Sequence, residues 1–396
     1  MTVEVHLKGV ACNISCQYCY QNPMRDAGSP AHDYDVAAIK RAVEATGRPL
    51  ALFGGEPLLA PKRDLEELFA WSHRRFGRST IQTNGTLIDD EHLQMFQDYR
   101  VNVGVSIDGP GELNDARWAG SLERTRAATR KTEAAVARMC ELKIPVSIII
   151  TLHRGNAASE RLPALLDWVR SLARRGVRRI RLHALEVDSP DVGAKYSLSI
   201  AENLDALRAF EALSGELPAE FIDMFHDLTN GLRGADQKMS CVWRACDPYT
   251  TAAVQGIHGN GQVSNCGRTN KDGVDFVKAA RPGFERYIAL YHTPRADHGC
   301  QGCRFFLMCK GQCPGTAVDG DWRNRTEHCE LWMTLYQGME ERALAAGESP
   351  LSTHPRRGEV EAFMLKMWAR GSNPLLEQVL MKLDITAGAL ADRPQS

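Results

Sequence analysis

The chain has 396 residues, of which 43% are hydrophobic, and its formal net charge at pH 7 is −1. This composition supplies enough apolar side chains for a large core and for about two or three domains. A nearly neutral chain carries no electrostatic signal for nucleic acid or an anionic membrane, so neither is expected as a partner. The longest apolar run, Val146 to Leu152, is far shorter than the roughly 20 residues that span a bilayer. No apolar signal stretch follows Met1, and we therefore expect a cytoplasmic protein.

Short β-rich runs alternate with amphipathic helical runs between residues 3 and 214, which is typical of a parallel α/β architecture. Six predicted strands cover Val3 to Lys8, Leu50 to Phe53, Ser79 to Gln82, Val101 to Ser106, Val146 to Leu152 and Val177 to Leu185. Helical segments separate them, and two of these end at Gly47 and Gly77, glycines that favour a left-handed C-terminal cap. Six parallel strands with right-handed crossovers predict a partial, curved (βα)6 barrel. In such barrels the functional residues lie in the loops that follow the strands.

The loop after the first strand contains three closely spaced cysteines, Cys12, Cys16 and Cys19, in the pattern Cys-x3-Cys-x2-Cys. The chain has twelve cysteines and no secretory signal, which favours metal or cluster ligation over disulfides. A cubane iron-sulfur cluster normally takes four cysteine ligands, so three cysteines leave one iron open to an exogenous chelator. A zinc knuckle or a disulfide staple is the alternative interpretation of the same three residues.

With Tyr18 directly before the third cysteine, this loop resembles the signature of the radical S-adenosylmethionine (radical SAM) enzymes. The resemblance implies that the amino and carboxylate groups of SAM chelate the open iron, and that an electron from the cluster splits the sulfonium. The 5′-deoxyadenosyl radical then abstracts hydrogen from the substrate, so the cofactor carries out the difficult step. A reductant such as flavodoxin or ferredoxin is implied as the electron donor.

The loops after the next three predicted strands carry motifs that fit this family. Gly54-Gly55-Glu56-Pro57 follows the second strand and resembles the element whose backbone groups bind the SAM ammonium, although a simple turn has the same composition. Polar side chains suited to ribose and carboxylate recognition end the third and fourth strands, namely Thr83, Asn84, Ser106 and Asp108. Arg117 matches the arginine that family members direct at the SAM carboxylate, and the alternative is an ordinary surface ion pair.

A second cysteine constellation in the other half of the chain resembles the seven-cysteine pattern of the SPASM domain, which peptide and sulfatase maturases share. Its members are Cys246, Cys266, Cys300, Cys303, Cys309, Cys313 and Cys329, with Gly261 ahead of Cys266 and with Cys241 as an eighth candidate. The resemblance implies two auxiliary clusters, one on Cys241, Cys246, Cys266 and Cys313 and the other on Cys300, Cys303, Cys309 and Cys329. If Cys241 is free, one cluster has an open iron that could anchor a substrate thiolate. A zinc ribbon is the alternative, and Cys140 is predicted to be an inert core thiol.

The sequence offers only weak candidates for a catalytic base. In the sulfatase-maturing branch an aspartate directly follows the cysteine of the Gly-x4-Cys element, whereas Gly267 and Arg268 follow Cys266 here. The nearest substitutes are Asp247, Tyr249, Glu186 and Asp188. Asp247 could equally cap the turn at Pro248 through its side chain.

We predict a radical SAM partial barrel at residues 1–232, a SPASM domain at 233–335 and a C-terminal helical tail at 336–396. The resemblance implies an enzyme that binds SAM and three [4Fe-4S] clusters, one SAM-binding and two auxiliary, and that oxidatively modifies a ribosomally synthesised precursor peptide or protein, for example by cross-linking. Formylglycine formation in a sulfatase is one alternative, and chemistry on a sugar, nucleoside or aminoglycoside is another. A non-catalytic metal-binding protein would have no need of the SAM-contact motifs.

Overall fold

The computed structural model describes residues 2–26, 33–187, 189–239, 243, 246, 255–269 and 283–387. Packing divides the chain into two compact units. The first unit consists of residues 1–223 and 255–275, and the second consists of residues 224–254 and 276–396. The predicted domain boundaries, which follow sequence motifs rather than packing, stay predictions.

The first unit is built on an eight-stranded sheet. Its strands are β1 (Val3–His6), β2 (Leu50–Phe53), β3 (Ser79–Thr83), β4 (Val101–Ser106), β5 (Val146–Leu152), β6 (Arg179–Ala184), β7 (Gly256–His258) and β8 (Val263–Ser264). They lie in the order β6-β5-β4-β3-β2-β1-β7-β8, and all neighbours are parallel except β7 and β8. The six predicted strands are therefore confirmed as one parallel sheet. The pair β7 and β8 was not predicted, because segments of three and two residues are too short to show a strand pattern.

Helices connect the parallel strands of this unit. They are α1 (Asn22–Asp26), α2 (Val36–Thr46), α3 (Lys62–Phe76), α4 (Asp90–Asp98), α5 (Leu122–Glu141), α6 (Arg154–Ala157), α7 (Leu162–Arg175), α8 (Pro190–Tyr196) and α9 (Ile200–Ser214). Helix α2 begins after Asp35, whose carboxylate accepts the N–H groups of Ala37 and Ala38 at 2.8 and 3.0 Å. Helices α2 and α3 end at Gly47 and Gly77 in the left-handed conformation, which confirms both predicted caps.

One face of the sheet is apolar and the other is polar. In β5 the side chains of Ile148 and Ile150 are fully buried, whereas Thr151, which points to the opposite face, is partly exposed. In β6 the partly exposed positions include Arg181 and His183. The helices cover the apolar face, so the unit keeps a polar, partly accessible face next to the loops at the carboxyl ends of its strands.

The second unit is mainly helical. Its helices are α10 (Asp223–Leu232), α11 (Glu285–His292), α12 (Phe306–Cys309), α13 (Cys329–Ala345), α14 (Arg357–Trp368) and α15 (Leu376–Lys382). Helices α14 and α15 lie within the predicted C-terminal tail, and the Leu376 N–H of α15 donates to the Asp236 carboxylate at 2.8 Å. Across the described ranges of both units, the chain contains no helix with the length and apolarity that a membrane crossing requires.

Candidate active site and cysteine clusters

The loop with the three predicted cluster cysteines runs from β1 to α1 and is closed by its own backbone. The Cys19 N–H donates to the Cys16 carbonyl at 3.1 Å, and the Asn22 N–H donates to the Cys19 carbonyl at 2.9 Å. Cys16 is buried, while Cys12 and Cys19 are half-buried. Burial raises the pKa of the Cys12 thiol and raises that of Cys16 to about 12, although Arg117 opposes the shift at Cys16. The loop thus gathers three cysteines, of which Cys12 and Cys16 are neutral thiols when no metal is bound.

The two glycines after β2 allow the second loop to lie directly on the cysteine loop. The Gly55 N–H donates to the Gly9 carbonyl at 2.9 Å, and the Glu56 N–H donates to the Ala11 carbonyl at 2.8 Å. A Cβ atom on Gly54 would lie 2.5 Å from the Gly9 oxygen, and one on Gly55 would lie 2.1 Å from the Ala11 oxygen. No side chain fits at such distances, so the structure gives both glycines a role in positioning the cysteine loop.

Glu56 joins the end of β2 to the end of β3. Its carboxylate accepts hydrogen bonds from the Leu58 N–H at 3.0 Å, the Thr83 hydroxyl at 2.7 Å and the Asn84 N–H at 2.7 Å. It thereby caps the turn Pro57–Leu59. Burial raises the pKa of Glu56, and the three hydrogen bonds oppose that rise. Of the predicted cofactor-binding residues, Glu56 and Thr83 therefore have their side-chain oxygens engaged within the protein.

Of the polar residues that follow β3 and end β4, Asn84 reaches the cysteine loop. Its Nδ2 donates to the Asn13 Oδ1 at 2.8 Å and lies 3.8 Å from the Cys12 Sγ. The Ser106 hydroxyl instead accepts a hydrogen bond from the Gln82 amide at 2.8 Å. Asn84 is thus placed to donate to a cysteine sulfur at the cluster loop, an interaction that tunes iron-sulfur clusters.

Asp108 and Arg117 form a buried ion pair beyond the end of β4. The Arg117 Nε and Nη2 donate to the two carboxylate oxygens of Asp108 at 3.0 and 3.1 Å. The Tyr18 hydroxyl also donates to this carboxylate, as does the Thr151 N–H at 2.9 Å. Burial alone would raise the pKa of Asp108, but Arg117, His153 and Tyr18 together outweigh it and hold that pKa well below its usual value. Asp108 is therefore an ionised carboxylate that orients Arg117.

The backbone places Arg117 beside the central cysteine. The N–H groups of Ser15 and Gln17 donate to the carbonyls of the two residues that flank Arg117, at 2.7 and 2.8 Å. The Arg117 Nη1 consequently lies 3.9 Å from the Cys16 Sγ. An arginine held in this way presents a fixed positive charge at the cysteine loop.

His153 is a member of this site that sequence reasoning missed. It directly follows β5, it is fully buried, and its Nδ1 accepts the Gly155 N–H at 3.0 Å. Its Nε2 lies 3.6 Å from the Asp108 carboxylate, and its ring centroid lies 5.2 Å from that of Tyr18. The signal that could have found it is its position at the carboxyl end of a strand of a parallel sheet, next to the other strand-end loops.

Glu186, a predicted candidate base, follows β6 and is paired with Arg268. The Arg268 Nε and Nη2 donate to the same carboxylate oxygen of Glu186 at 2.8 and 2.6 Å. Nearby, burial raises the pKa of the Tyr20 hydroxyl well above its usual value, and the negative charges of Cys19 and Cys266 add to the rise. The catalytic role of Glu186 stays a prediction.

Four of the predicted residues lie outside the described residues, namely Asp188, Cys241, Asp247 and Tyr249. Their proposed roles as bases or as a cluster ligand therefore stay predictions. Cys140 lies half-buried on α5, where burial raises the pKa of its thiol.

In the second unit, Cys300, Cys303, Cys309 and Cys329 line one small cavity. This is the set that the SPASM resemblance assigns to one auxiliary cluster. Burial raises the pKa of Cys300 to about 12 and that of Cys309 well above its usual value, and the neighbouring thiolates add to both shifts. The structure therefore brings these four thiols together, and their ligation of a cluster stays a prediction.

The cysteines predicted to hold the other auxiliary cluster do not all belong to the same compact unit. Cys266 belongs to the first unit, and Cys246 and Cys313 belong to the second. Cys246 is buried, whereas Cys266 and Cys313 are half-buried. The grouping of these residues on one cluster stays a prediction.

These donor sets suit an iron-sulfur cluster better than a single ion. Within the described ranges, no three His, Cys, Asp or Glu side chains are placed to hold a metal ion. The ligands of a cubane surround four irons and their bridging sulfides, so they stand farther apart than the ligands of one ion. Three thiols in one loop and four around one cavity provide such a donor set.

Residues 7–169 match the model of the Radical SAM superfamily. Over 166 residues the chain is 32% identical to Fe-coproporphyrin III synthase of Methanosarcina barkeri, covering 39% of this chain and 38% of that protein. Over 126 residues it is 33% identical to the serine-type anaerobic sulfatase-maturating enzyme of Bacteroides thetaiotaomicron, covering 28% and 30%. The matched segments thus span about a third of the length of these curated relatives.

The fold is similar to that of two solved peptide complexes. Native anSMEcpe with bound AdoMet and Cp18Cys peptide gives a TM-score of 0.64 at 17% identity, covering 87% of this chain and 98% of that one. Streptococcus suis SuiB bound to precursor peptide SuiA gives 0.53 at 14% identity, covering 83% and 76%. At these identities the likeness concerns the fold alone. The match to the Radical SAM superfamily model covers the cysteine loop and the strand-end loops around it, so this part of the chain is similar to that superfamily.

Proposed function

We propose that this radical SAM enzyme oxidatively modifies a residue of a ribosomally synthesised peptide, by hydrogen abstraction followed by cross-linking. The observation that carries the proposal is the fixed position of Arg117 beside Cys16, where the Asp108 carboxylate holds it. A buried arginine next to a three-thiol loop is suited to a carboxylate that binds beside a cluster. An ordinary surface ion pair, the alternative for Arg117, does not fit a side chain that is 10% exposed.

Cys12, Cys16 and Cys19 would hold the [4Fe-4S] cluster of this site, and SAM would bind at its open iron. When bound, the cluster and SAM supply reductive cleavage of SAM and a radical that abstracts hydrogen. The proposal places the enzyme in the cytoplasm, with flavodoxin or ferredoxin as the electron donor.

The chain's own residues bind and orient the cofactor. Arg117 uses two nitrogens on Asp108, and its Nη1, which faces Cys16, is the group we assign to the SAM carboxylate. Asn84 is assigned a hydrogen bond to the Cys12 sulfur, from which its Nδ2 lies 3.8 Å away. The packing of Gly54 and Gly55 against residues 9 and 11 keeps the cysteine loop in place for both contacts.

Two auxiliary clusters complete the proposal. The cavity lined by Cys300, Cys303, Cys309 and Cys329 offers four thiols for one of them. With four cysteine ligands a cluster has no open iron, which favours electron transfer over direct substrate binding. Such a role suits a net two-electron oxidation, in which the substrate loses a hydrogen atom and then one further electron and a proton. The second auxiliary cluster is assigned to Cys246, Cys266 and Cys313 with Cys241.

Similarity to peptide-binding proteins supports a peptide substrate. Two solved structures with this fold are complexes with peptides, one of them a precursor peptide. Sulfatase maturation is less well supported, because Gly267 and Arg268 follow Cys266 where that branch has its aspartate, and because Arg268 is paired with Glu186. A modified precursor peptide therefore remains the preferred substrate.

The second candidate is chemistry on a small molecule, such as a sugar, nucleoside or aminoglycoside. Two observations favour it. One is the similarity to a relative named Fe-coproporphyrin III synthase. The other is the polar, partly accessible sheet face that carries Arg181 and His183, which suits a hydrophilic ligand.

The test uses the anaerobically reconstituted enzyme with SAM, dithionite and a synthetic copy of a short peptide encoded beside its gene. We expect 5′-deoxyadenosine and a peptide that has lost two hydrogen atoms, measured by mass spectrometry. The Cys16→Ala variant should give neither product, whereas Cys140→Ala, which changes a cysteine outside the predicted ligand sets, should give both. An aldehyde that a hydrazide reagent captures would favour formylglycine formation. An unmodified peptide alongside a modified sugar or nucleoside would favour the second candidate.

A further inference from the structure

A fully buried arginine lies behind the four-cysteine cavity of the second unit and is bound to carbonyls alone. Arg286 is 1% exposed. Its guanidinium donates to the carbonyls of Trp322 at 2.6 Å, Asn324 at 2.9 Å, Lys310 at 3.2 Å and Gly311 at 3.3 Å. In the described parts of the chain no carboxylate pairs with it. Carbonyl dipoles satisfy its hydrogen bonds, but they do not neutralise its charge.

A second arginine, Arg325, lines the cavity itself. Its Nη1 donates to the carbonyls of Arg295 at 2.7 Å and Gly299 at 3.0 Å. Its Nε is buried, and no hydrogen-bond acceptor for it exists among the described residues. A charged N–H group without an acceptor is strongly unfavourable in a protein interior, and the residue that carries this one lines the cavity.

Tyr336, which also lines this cavity, carries a second unsatisfied donor. Its side chain lines the cavity, and its ring stacks on Phe305 with centroids 5.2 Å apart. Its hydroxyl is buried and makes no hydrogen bond to any residue that the structure describes. The stacking fixes the ring, so the hydroxyl is held at the cavity rather than free to turn to solvent.

The cysteines of the cavity are the negative groups within reach of these cations. Arg325 lines the cavity together with these cysteines, and Arg286 donates to the carbonyl of Gly311, which also lines it. An anionic cluster held by the four cysteines would compensate the positive charges of Arg286 and Arg325. It would also accept hydrogen bonds from the Arg325 Nε and the Tyr336 hydroxyl. No single thiol among the four could do both.

We propose that Arg325 and Tyr336 donate hydrogen bonds to an iron-sulfur cluster held by Cys300, Cys303, Cys309 and Cys329, and that Arg286 and Arg325 together raise its reduction potential. This inference rests on the proposed function, which assigns the cluster to this cavity. Reduction adds negative charge to a cluster, and nearby cations and donors stabilise that charge, so their loss favours the oxidised form. Arg325 and Tyr336 are thus positioning residues that make this cluster a better electron acceptor.

The test is a redox titration of the full chain, followed by electron paramagnetic resonance. Cys12, Cys16 and Cys19 are replaced by alanine, so that only the auxiliary clusters remain. Cys303→Ala in this background identifies the signal and the iron that belong to the cavity. We expect R325Q and Y336F to shift the midpoint potential of that signal to more negative values without changing the iron per chain. R325K keeps the charge but lacks the Nε donor, so we expect a smaller shift than in R325Q.

Arg323, two residues before Arg325, provides the matched control because it is 63% exposed and pairs with Asp321. R323Q should leave the potential unchanged. Unchanged potentials in R325Q and Y336F, with the signal intact, would overturn this inference alone. If R325Q does not fold, Y336F decides the matter, because it removes only one hydroxyl. If Cys303→Ala removes neither iron nor signal, the cluster assignment in the proposed function is wrong, and this inference falls with it.

Discussion

Arg117 and Asp108 form a buried, bidentate ion pair, and the remaining guanidinium nitrogen of Arg117 faces Cys16. The two donated bonds measure 3.0 and 3.1 Å, and the Nη1 lies 3.9 Å from the Cys16 sulfur. The Asp108 side chain is fully buried and that of Arg117 is 10% exposed. The pair therefore links the loop after β4 to the cysteine loop, and it couples the stability of the first unit to the geometry of its cluster site.

Replacing Asp108 by asparagine should destabilise the metal-free chain. The substitution leaves Arg117 buried without its counter-charge, a change that typically costs about 3 to 5 kcal/mol. Urea unfolding of the two metal-free proteins measures the difference. The control is Asp115→Asn, which breaks the partly exposed pair between Asp115 and Arg126 and should cost no more than about 1 kcal/mol. If both variants lost the same free energy of unfolding, the ion pair between Asp108 and Arg117 would not stabilise the site.

The Asp108 carboxylate should make the free energy of unfolding depend on pH. Although burial raises it, the pKa of Asp108 is held below its usual value in the folded chain by Arg117, His153 and Tyr18 together. The folded state then binds fewer protons than the unfolded state, so the stabilisation is complete above the unfolded pKa of about 4 and is lost as the pH falls below it. The free energy of unfolding, measured from neutral pH down to values well below about 4, should decline more steeply for the wild type than for Asp108→Asn. An equal pH dependence of the free energy of unfolding in the two proteins would contradict a lowered pKa for Asp108.

Arg117→Lys should weaken SAM binding while cluster content stays the same. Lysine keeps the positive charge but lacks the planar fork that uses two nitrogens on Asp108 and leaves a third for a ligand. We expect roughly a tenfold loss of SAM affinity, equivalent to about 1.4 kcal/mol. Equilibrium binding of SAM to the reconstituted enzyme measures it, with Arg126→Lys as the control. Unaltered affinity would remove Arg117 from the SAM site.

Gly55→Ala should displace the cysteine loop. A Cβ atom there would lie 2.1 Å from the Ala11 oxygen, a backbone atom that cannot move without moving the loop. The reconstituted variant should lose about four irons per chain and keep those of the auxiliary clusters. Gly358→Ala is the control, because nothing lies within 4 Å of a Cβ at that helical position. Full iron content in Gly55→Ala would show that the close contact is not needed for cluster binding.

Periodic burial explains which parts of the fold could be predicted. The strands β1 to β6 have buried positions that alternate or run continuously over four to seven residues, long enough to be recognised in sequence. The three-residue strand β7 pairs with β1, with His6 opposite His258, and the two-residue strand β8 pairs with β7. That pairing depends on tertiary contact, so no local pattern indicates it.

The site was predictable where spacing along the chain carries the chemistry. Cys12, Cys16 and Cys19 share one loop, and their role is visible from their separation alone. The predicted ribose-binding role of Asp108 ignored its partners, because Arg117, Tyr18 and Thr151 reach its carboxylate only in the folded sheet. Pairings of this kind depend on which strands are neighbours, and residue types alone do not reveal them.

The orphaned donors of the second unit illustrate the same limit. Arg325 and Tyr336 are ordinary residues in the sequence, without a motif around them. Their relation to the cysteine cavity appears only when buried hydrogen bonds are counted, since the Arg325 Nε and the Tyr336 hydroxyl have no acceptor among the described residues.

Anaerobic reconstitution tests the central claim most directly. Iron per chain and 5′-deoxyadenosine formed with SAM and dithionite are measured for the wild type and for the variant with Cys12, Cys16 and Cys19 replaced by alanine. The account predicts about twelve irons in the wild type, about eight in the variant, and 5′-deoxyadenosine from the wild type alone. Zinc in place of iron, or no SAM cleavage by the iron-loaded wild type, would contradict it.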